Sequence, residues 1–110
     1  MKSSKDKTLS SQDDPWHLVL FVSRSSAASA TAVVQLKRIA AEYLPPKSLV
    51  EVVDLYDEPE RAEEEQVLAI PTLVRKAPMP VRRVIGDLSD IPRVLTSIGF
   101  VMNSSGYSLA

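Results

Sequence analysis

Leu18-Val19-Leu20-Phe21-Val22 is an uninterrupted apolar run, and it restricts the fold more than any other stretch of the chain. A strand with one wet face alternates apolar and polar residues. A run without polar interruption marks a strand covered on both faces. Such a strand needs a layer on each side, which points to an α/β fold. The chain has 110 residues, one domain's worth. At that size a single core buries roughly two-thirds of the unfolded surface.

The segments after this run alternate in character. Ser23-Arg24-Ser25-Ser26 breaks the strand, and Ser25 or Ser26 can cap a helix. Ala32, Leu36, Ile39 and Tyr43 then recur at helical spacing until Pro45-Pro46 ends the pattern. Leu49-Val50-Glu51-Val52-Val53-Asp54 is short and β-branched, so it reads as a second strand. Strand, helix and strand make a βαβ unit, whose strands run parallel. Asp57 and Glu60 have capping-box spacing for a short helix over 59–67. Leu73-Val74-Arg75-Lys76 and the stretch 81–85 flank the Ala77-Pro78-Met79-Pro80 turn and predict an antiparallel hairpin. Gly86-Asp87 turns the chain. Ser89 can cap a last helix carrying Val94, Leu95 and Ile98, with Pro92 in its first turn. Residues 1–15 read as a disordered tail and 102–110 as a frayed end, leaving a domain over 16–101.

The order is β-α-β-α-β-β-α with a mixed four-stranded sheet, which is the thioredoxin-like order. Ile70-Pro71-Thr72 fits it, because that fold places a proline, usually with a cis peptide bond, just before its third strand.

Composition removes several function classes. There is no cysteine, so disulfides, thiolate nucleophiles, dithiol redox chemistry and Cys-ligated metals are excluded. The single histidine, His17, excludes a multi-His metal site within one chain. Thirteen Lys and Arg balance fourteen Asp and Glu, which gives no reason to expect nucleic acid or an acidic membrane as partner. No apolar run reaches the length of a membrane span, and a soluble, cytoplasmic protein is the expectation.

Three constellations remain. The serines at 23, 25 and 26 stand where thioredoxin-like enzymes put their reactive groups. Ser25 or Ser26 could activate glutathione at a helix N-terminus, but capping explains both without further help. Asp87 and Ser89 allow a glutathione site or, more simply, a turn and a cap. The acidic stretch Asp57, Glu58, Glu60, Glu63, Glu64 and Glu65, against Arg75, Lys76, Arg82 and Arg83, makes the molecule polar end to end. Such patches can steer a partner or promote self-association into a homo-oligomer. Trp16 is expected to cover the edge of the core, and His17 to lie at the surface.

Val52-Val53-Asp54-Leu55, Ala62-Glu63-Glu64, Leu68-Ala69-Ile70-Pro71-Thr72-Leu73 and the long run from Pro78-Met79-Pro80 through Val81-Arg82-Arg83-Val84-Ile85-Gly86-Asp87-Leu88-Ser89 together resemble the KaiB family of circadian-clock proteins. The resemblance implies a non-enzymatic regulator with no cofactor, working by protein–protein contact. Its implied partner is a KaiC-like ATPase or a signalling kinase such as SasA. Arg82, Arg83, Glu63 and Glu64 are the candidate contacts. The resemblance also implies a C-terminal half that can change its packing, with Pro71, Pro78 and Pro80 as structural or switch residues. Such a change needs only a few kcal/mol between states, and prolyl isomerisation would give it a slow step. Gln66, Ser97 and Gly99 depart from the residues that clock members often carry there, namely Lys, Gly and Asp. The rivals are a cysteine-free glutathione-binding enzyme and a purely structural oligomer.

Overall fold

The apolar run becomes the second strand from one edge of a four-stranded sheet. The computed structural model describes residues 14–103 and 106–109, so most of the tail expected over 1–15 lies outside the described residues. Strand β1 (His17–Val22) leads into helix α1 (Ala27–Tyr43), strand β2 (Leu49–Asp54) and the short helix α2 (Pro59–Glu64). Strands β3 (Thr72–Ala77) and β4 (Arg82–Ile85) precede helix α3 (Ile91–Ile98). The sheet order is β2-β1-β3-β4, with β1 and β2 parallel and the other pairs antiparallel. This is the expected thioredoxin-like arrangement.

Strand alternation divides the core in two. Leu18, Leu20 and Val22, with Leu73 and Val84, face α1 and α3, which contribute Ala32, Leu36, Ile39, Val94, Leu95 and Ile98. Val19, Phe21, Val53 and Val74 face the other way, toward Ala62 of α2. Burying one aliphatic or Phe side chain stabilises by about 1.5–3 kcal/mol, so α1 and α3 are held mainly by burial. Helix α2 buries only Ala62, and Leu55, Val67 and Ile70 beside it are partly covered. Its docking therefore depends more on ion pairs: Arg61 Nη1 bonds Glu51 at 2.8 Å, and Glu65, just past the helix, bonds Lys76.

The helix starts decide between two serines for α1 and correct two expectations. Ser26, not Ser25, caps α1, and its side chain accepts from the Ser29 N–H at 3.1 Å. The Asp57–Glu60 capping box does not form. Glu58 is the N-cap of α2 without a side-chain bond, because the Asp57 carboxylate accepts from Arg24 instead. Asp90, not Ser89, caps α3, with its side chain accepting from the Arg93 N–H at 3.3 Å. Helix α2 also stops short of residue 67. Gln66 has φ 56°, a left-handed conformation that closes the helix.

The C-terminal end differs from a frayed tail. Strand β5 (Phe100–Asn103) pairs antiparallel with β6 (Gly106–Leu109) in a separate two-stranded ribbon. Phe100 starts this ribbon in the core, with its ring 4.8 Å from that of Trp16. Trp16 is buried, as expected for a residue covering the core edge. The Ile70–Pro71, Ala77–Pro78 and Met79–Pro80 peptides are all cis.

Candidate functional site

The loop after β1 carries the hydroxyls that an enzyme of this fold could use, and local backbone groups or neighbouring hydroxyls occupy them. Ser26 Oγ caps α1, Ser29 Oγ accepts from the Ser23 N–H at 3.0 Å, and the Ser23 and Ser25 hydroxyls lie 3.1 Å apart. A shallow cavity of about 120 Å³ borders this loop, lined by Ser23, Arg24, Ser26, Ser29 and Val33 among others. His17, the chain's single histidine, starts β1 at the other end, roughly 16 Å along the strand. Its Nε2 is bonded to Glu51 at 2.6 Å and is directed at the sheet. The base that would activate a serine is thus remote. Asp87 and Ser89 form a closed turn in which the Asp87 carboxylate accepts from the Ser89 N–H and hydroxyl at 3.0 and 2.6 Å. Those two bonds, the hydroxyl's first, hold the Asp87 carboxyl below its ordinary pKa. Among the described residues no cluster of three or more His, Cys, Asp or Glu could hold a metal ion.

The same end of the sheet carries a charged and aromatic surface. Arg24 pairs with Asp57 at 2.5 Å and Asp54 at 3.5 Å, and its guanidinium lies 4.7 Å from the exposed Tyr56 ring. Behind it, Glu51 is held by Arg61 and His17. The Arg61 hydrogen bond, followed by the His17 bond, pulls the Glu51 carboxyl below its ordinary pKa despite partial burial.

The four candidate contacts do not form one patch. Glu63 and Glu64 are exposed on α2. Arg82 and Arg83 are exposed on β4, an edge strand, but adjacent strand residues point to opposite faces. Arg83 stands opposite Val74, so it shares the α2 face with Glu63 and Glu64. Arg82 stands opposite Arg75 on the face covered by α1 and α3. The predicted charge separation is also thinner than the sequence suggests. Asp57 and Glu65 are paired with Arg24 and Lys76, and Arg75 is buried. Pro71 is buried at the entrance to β3, and Pro78 and Pro80 shape the β3–β4 turn.

Arg75 is the residue that sequence reasoning missed. The sequence sets it with Lys76, Arg82 and Arg83 against the acidic stretch, yet it is only 4% exposed. The signal was present: Arg75 has the same parity as Leu73, and Leu73 faces the core. Its guanidinium bonds the Ile98 and Pro80 carbonyls and lies over the Trp16 ring. Desolvation lowers its pKa, and the nearby Arg82 charge lowers it further.

Comparison with known proteins adds to this geometry. The KaiB domain model matches residues 19–99. The circadian clock protein KaiB3 of Synechocystis sp. is 37% identical over 84 residues, covering 76% of this chain and 82% of that protein. The circadian clock oscillator protein KaiB of Synechococcus elongatus is 40% identical over 81 residues, covering 74% and 79%. The solution structure of the N-terminal domain of SasA from Synechococcus elongatus matches with a TM-score of 0.57 and 25% identity, over 74% of this chain and 81% of that one. Mitochondrial thioredoxin 3 from Saccharomyces cerevisiae matches with a TM-score of 0.64 and 18% identity over 79% of each chain, a likeness of fold alone.

Proposed function

The chain belongs to the KaiB family of circadian clock proteins, and from that premise we propose that it is a non-enzymatic regulator acting by protein–protein contact. Its partner is a KaiC-like ATPase or a related signalling kinase, met in the cytoplasm without a cofactor. One observation carries the reading: the family match spans 19–99, which takes in most of β1, all of β2 to β4 and all three helices. The site adds support, because Ser26 Oγ acts as a helix cap and the Ser23 and Ser25 hydroxyls bond each other, while charged groups stand exposed on α2 and β4. The partner lies across the α2 face, where Glu63, Glu64 and Arg83 share one side. Binding shifts the partner between states, which requires different affinity for each state.

The test is a quantitative binding assay against the KaiC-like ATPase of the same organism, with ATP and with ADP. Saturable binding that differs between the two nucleotides is expected. A folded chain that binds in neither state removes the ATPase as partner and leaves the kinase.

The family also implies a second arrangement of the C-terminal half, with Pro71, Pro78 and Pro80 at its joints. We include it in the proposal. Its expected signature is a second, exchanging set of amide resonances confined to residues after Pro71. A single set under all conditions rejects it.

The glutathione reading has one observation in its favour, the cavity beside Ser23 and Ser26. Retention on glutathione resin that Ser25→Ala or Ser26→Ala abolishes would favour it over the regulator. Self-association without any partner in the assay above would favour the structural oligomer.

A further inference from the structure

Arg75 is a buried cation whose hydrogen bonds go to carbonyls rather than to a carboxylate. Its Nη1 donates to the Ile98 carbonyl at 2.7 Å, and its Nη2 donates to the Pro80 carbonyl at 2.8 Å. Its guanidinium carbon lies 4.9 Å from the Trp16 ring. These contacts belong to three separate stretches: the last turn of α3, the turn between β3 and β4, and the residue before β1. Trp16 is in turn fixed to the other half of the molecule. Its backbone N–H donates to Ser48 Oγ at 2.9 Å, and its backbone carbonyl accepts from the Leu49 N–H at 2.7 Å.

Gly99 makes room for the fork. It ends α3 with φ 116°, and a Cβ placed there would lie 2.3 Å from Arg75 Nη1. A backbone that needs glycine and a guanidinium that needs the vacated space meet at one position.

Burying a charge is costly unless its donors are paired. An apolar side chain at position 75 would fill the site without that cost. The guanidinium alone can bond two carbonyls from two elements at once while stacking on a ring. The Arg75 Nε is already buried without a hydrogen-bond partner, so losing either carbonyl would add a second unpaired donor on the same charge, which favours keeping both contacts.

We propose that Arg75 is a positioning residue: its fork ties the 78–80 turn to the end of α3 and so holds β4 in the orientation that presents Arg83 to a partner. The last step rests on the reading of Arg83 as a contact given above.

The test compares Arg75→Met and Gly99→Ala with the parent chain, using amide hydrogen exchange and affinity for the KaiC-like ATPase. In each variant, exchange should rise at least about tenfold, and together, over 79–85 and 95–99. Amides of β1 and β2 should stay within about twofold of the parent. The double variant should exchange faster than Arg75→Met alone but by less than the two single effects combined, because the collision with the fork is gone while the backbone strain at φ 116° remains. Affinity should fall about tenfold in both single variants although Arg83 is intact. If Arg75→Met does not fold, Arg75→Lys keeps the charge without the fork, and it should show the same joint pattern at smaller amplitude.

Exchange that rises uniformly over the sheet, or over only one of the two segments, overturns the tie. A joint rise with unchanged affinity, where Arg83→Glu does weaken binding, overturns the positioning role. Unchanged affinity in the Arg75 and Arg83 variants alike overturns Arg83 as a contact, and the exchange pattern then decides the tie by itself.

Discussion

Glu51 takes hydrogen bonds from two side chains at once. Arg61 reaches it from α2 at 2.8 Å, and His17 reaches it from β1 at 2.6 Å. Its carboxyl pKa is depressed, first by the Arg61 bond and then by the His17 bond. A depressed carboxyl contributes stability that is complete above its unfolded value, about 4.3, and is lost as pH falls through its folded value. The trio is only half-buried, so solvent screening limits the whole contribution to about 1 kcal/mol. Glu51→Gln should therefore lower the melting temperature by about 5 °C at pH 7. The gap to the parent should close as the pH falls through the parent carboxyl's lowered folded value, where that carboxyl becomes protonated too. Thermal scans at pH 7 and pH 3 check this. An equal gap at both pH values would mean that packing, not charge, accounts for the loss.

Element ends test local chemistry. Asp90 caps α3, and Ser89 is bound into the Asp87 turn. Asp90→Ala should cost about 1 kcal/mol by urea denaturation, while Ser89→Ala should stay within about 0.5 kcal/mol. The reverse order would restore Ser89 as the cap. In α1 the same contrast holds between Ser26→Ala, at about 1 kcal/mol, and Ser25→Ala, near zero. The strands and the two longer helices were legible because they rest on local periodicity, the uninterrupted run at 18–22 and the helical spacing of Ala32, Leu36 and Ile39. The caps were less so, since a cap depends on what else competes for its side chain. Asp57 looked like half of a capping box until Arg24, distant in sequence, took its carboxylate. The ribbon of β5 and β6 escaped notice because its strands are only four residues each and the polar stretch Asn103-Ser104-Ser105-Gly106 that joins them reads as a frayed end.

At the scale of the molecule, the two adjacent arginines of β4 separate the faces of the sheet. Sequence proximity suggested one basic patch, although the two-residue period of a strand already splits it. Glu63 and Glu64 were legible as exposed acids because a helix that buries only Ala62 leaves most of its charge in water. Arg82 lies opposite Arg75, and its charge adds to the penalty on that buried cation. Arg83 shares the α2 face with Glu63 and Glu64. Charge reversal at the two positions should thus give different results. Arg82→Glu replaces a repulsion beside Arg75 with an attraction, so the melting temperature should hold or rise slightly and partner affinity should change little. Arg83→Glu should leave the circular-dichroism spectrum unchanged and weaken partner binding about tenfold, mainly through slower association at low salt. Glu63→Lys should act on the same face, and its effect should shrink as added salt screens exposed charge. If Arg82→Glu costs the affinity and Arg83→Glu does not, the partner sits over α1 and α3, and Glu63 and Glu64 drop out of the interface with Arg83.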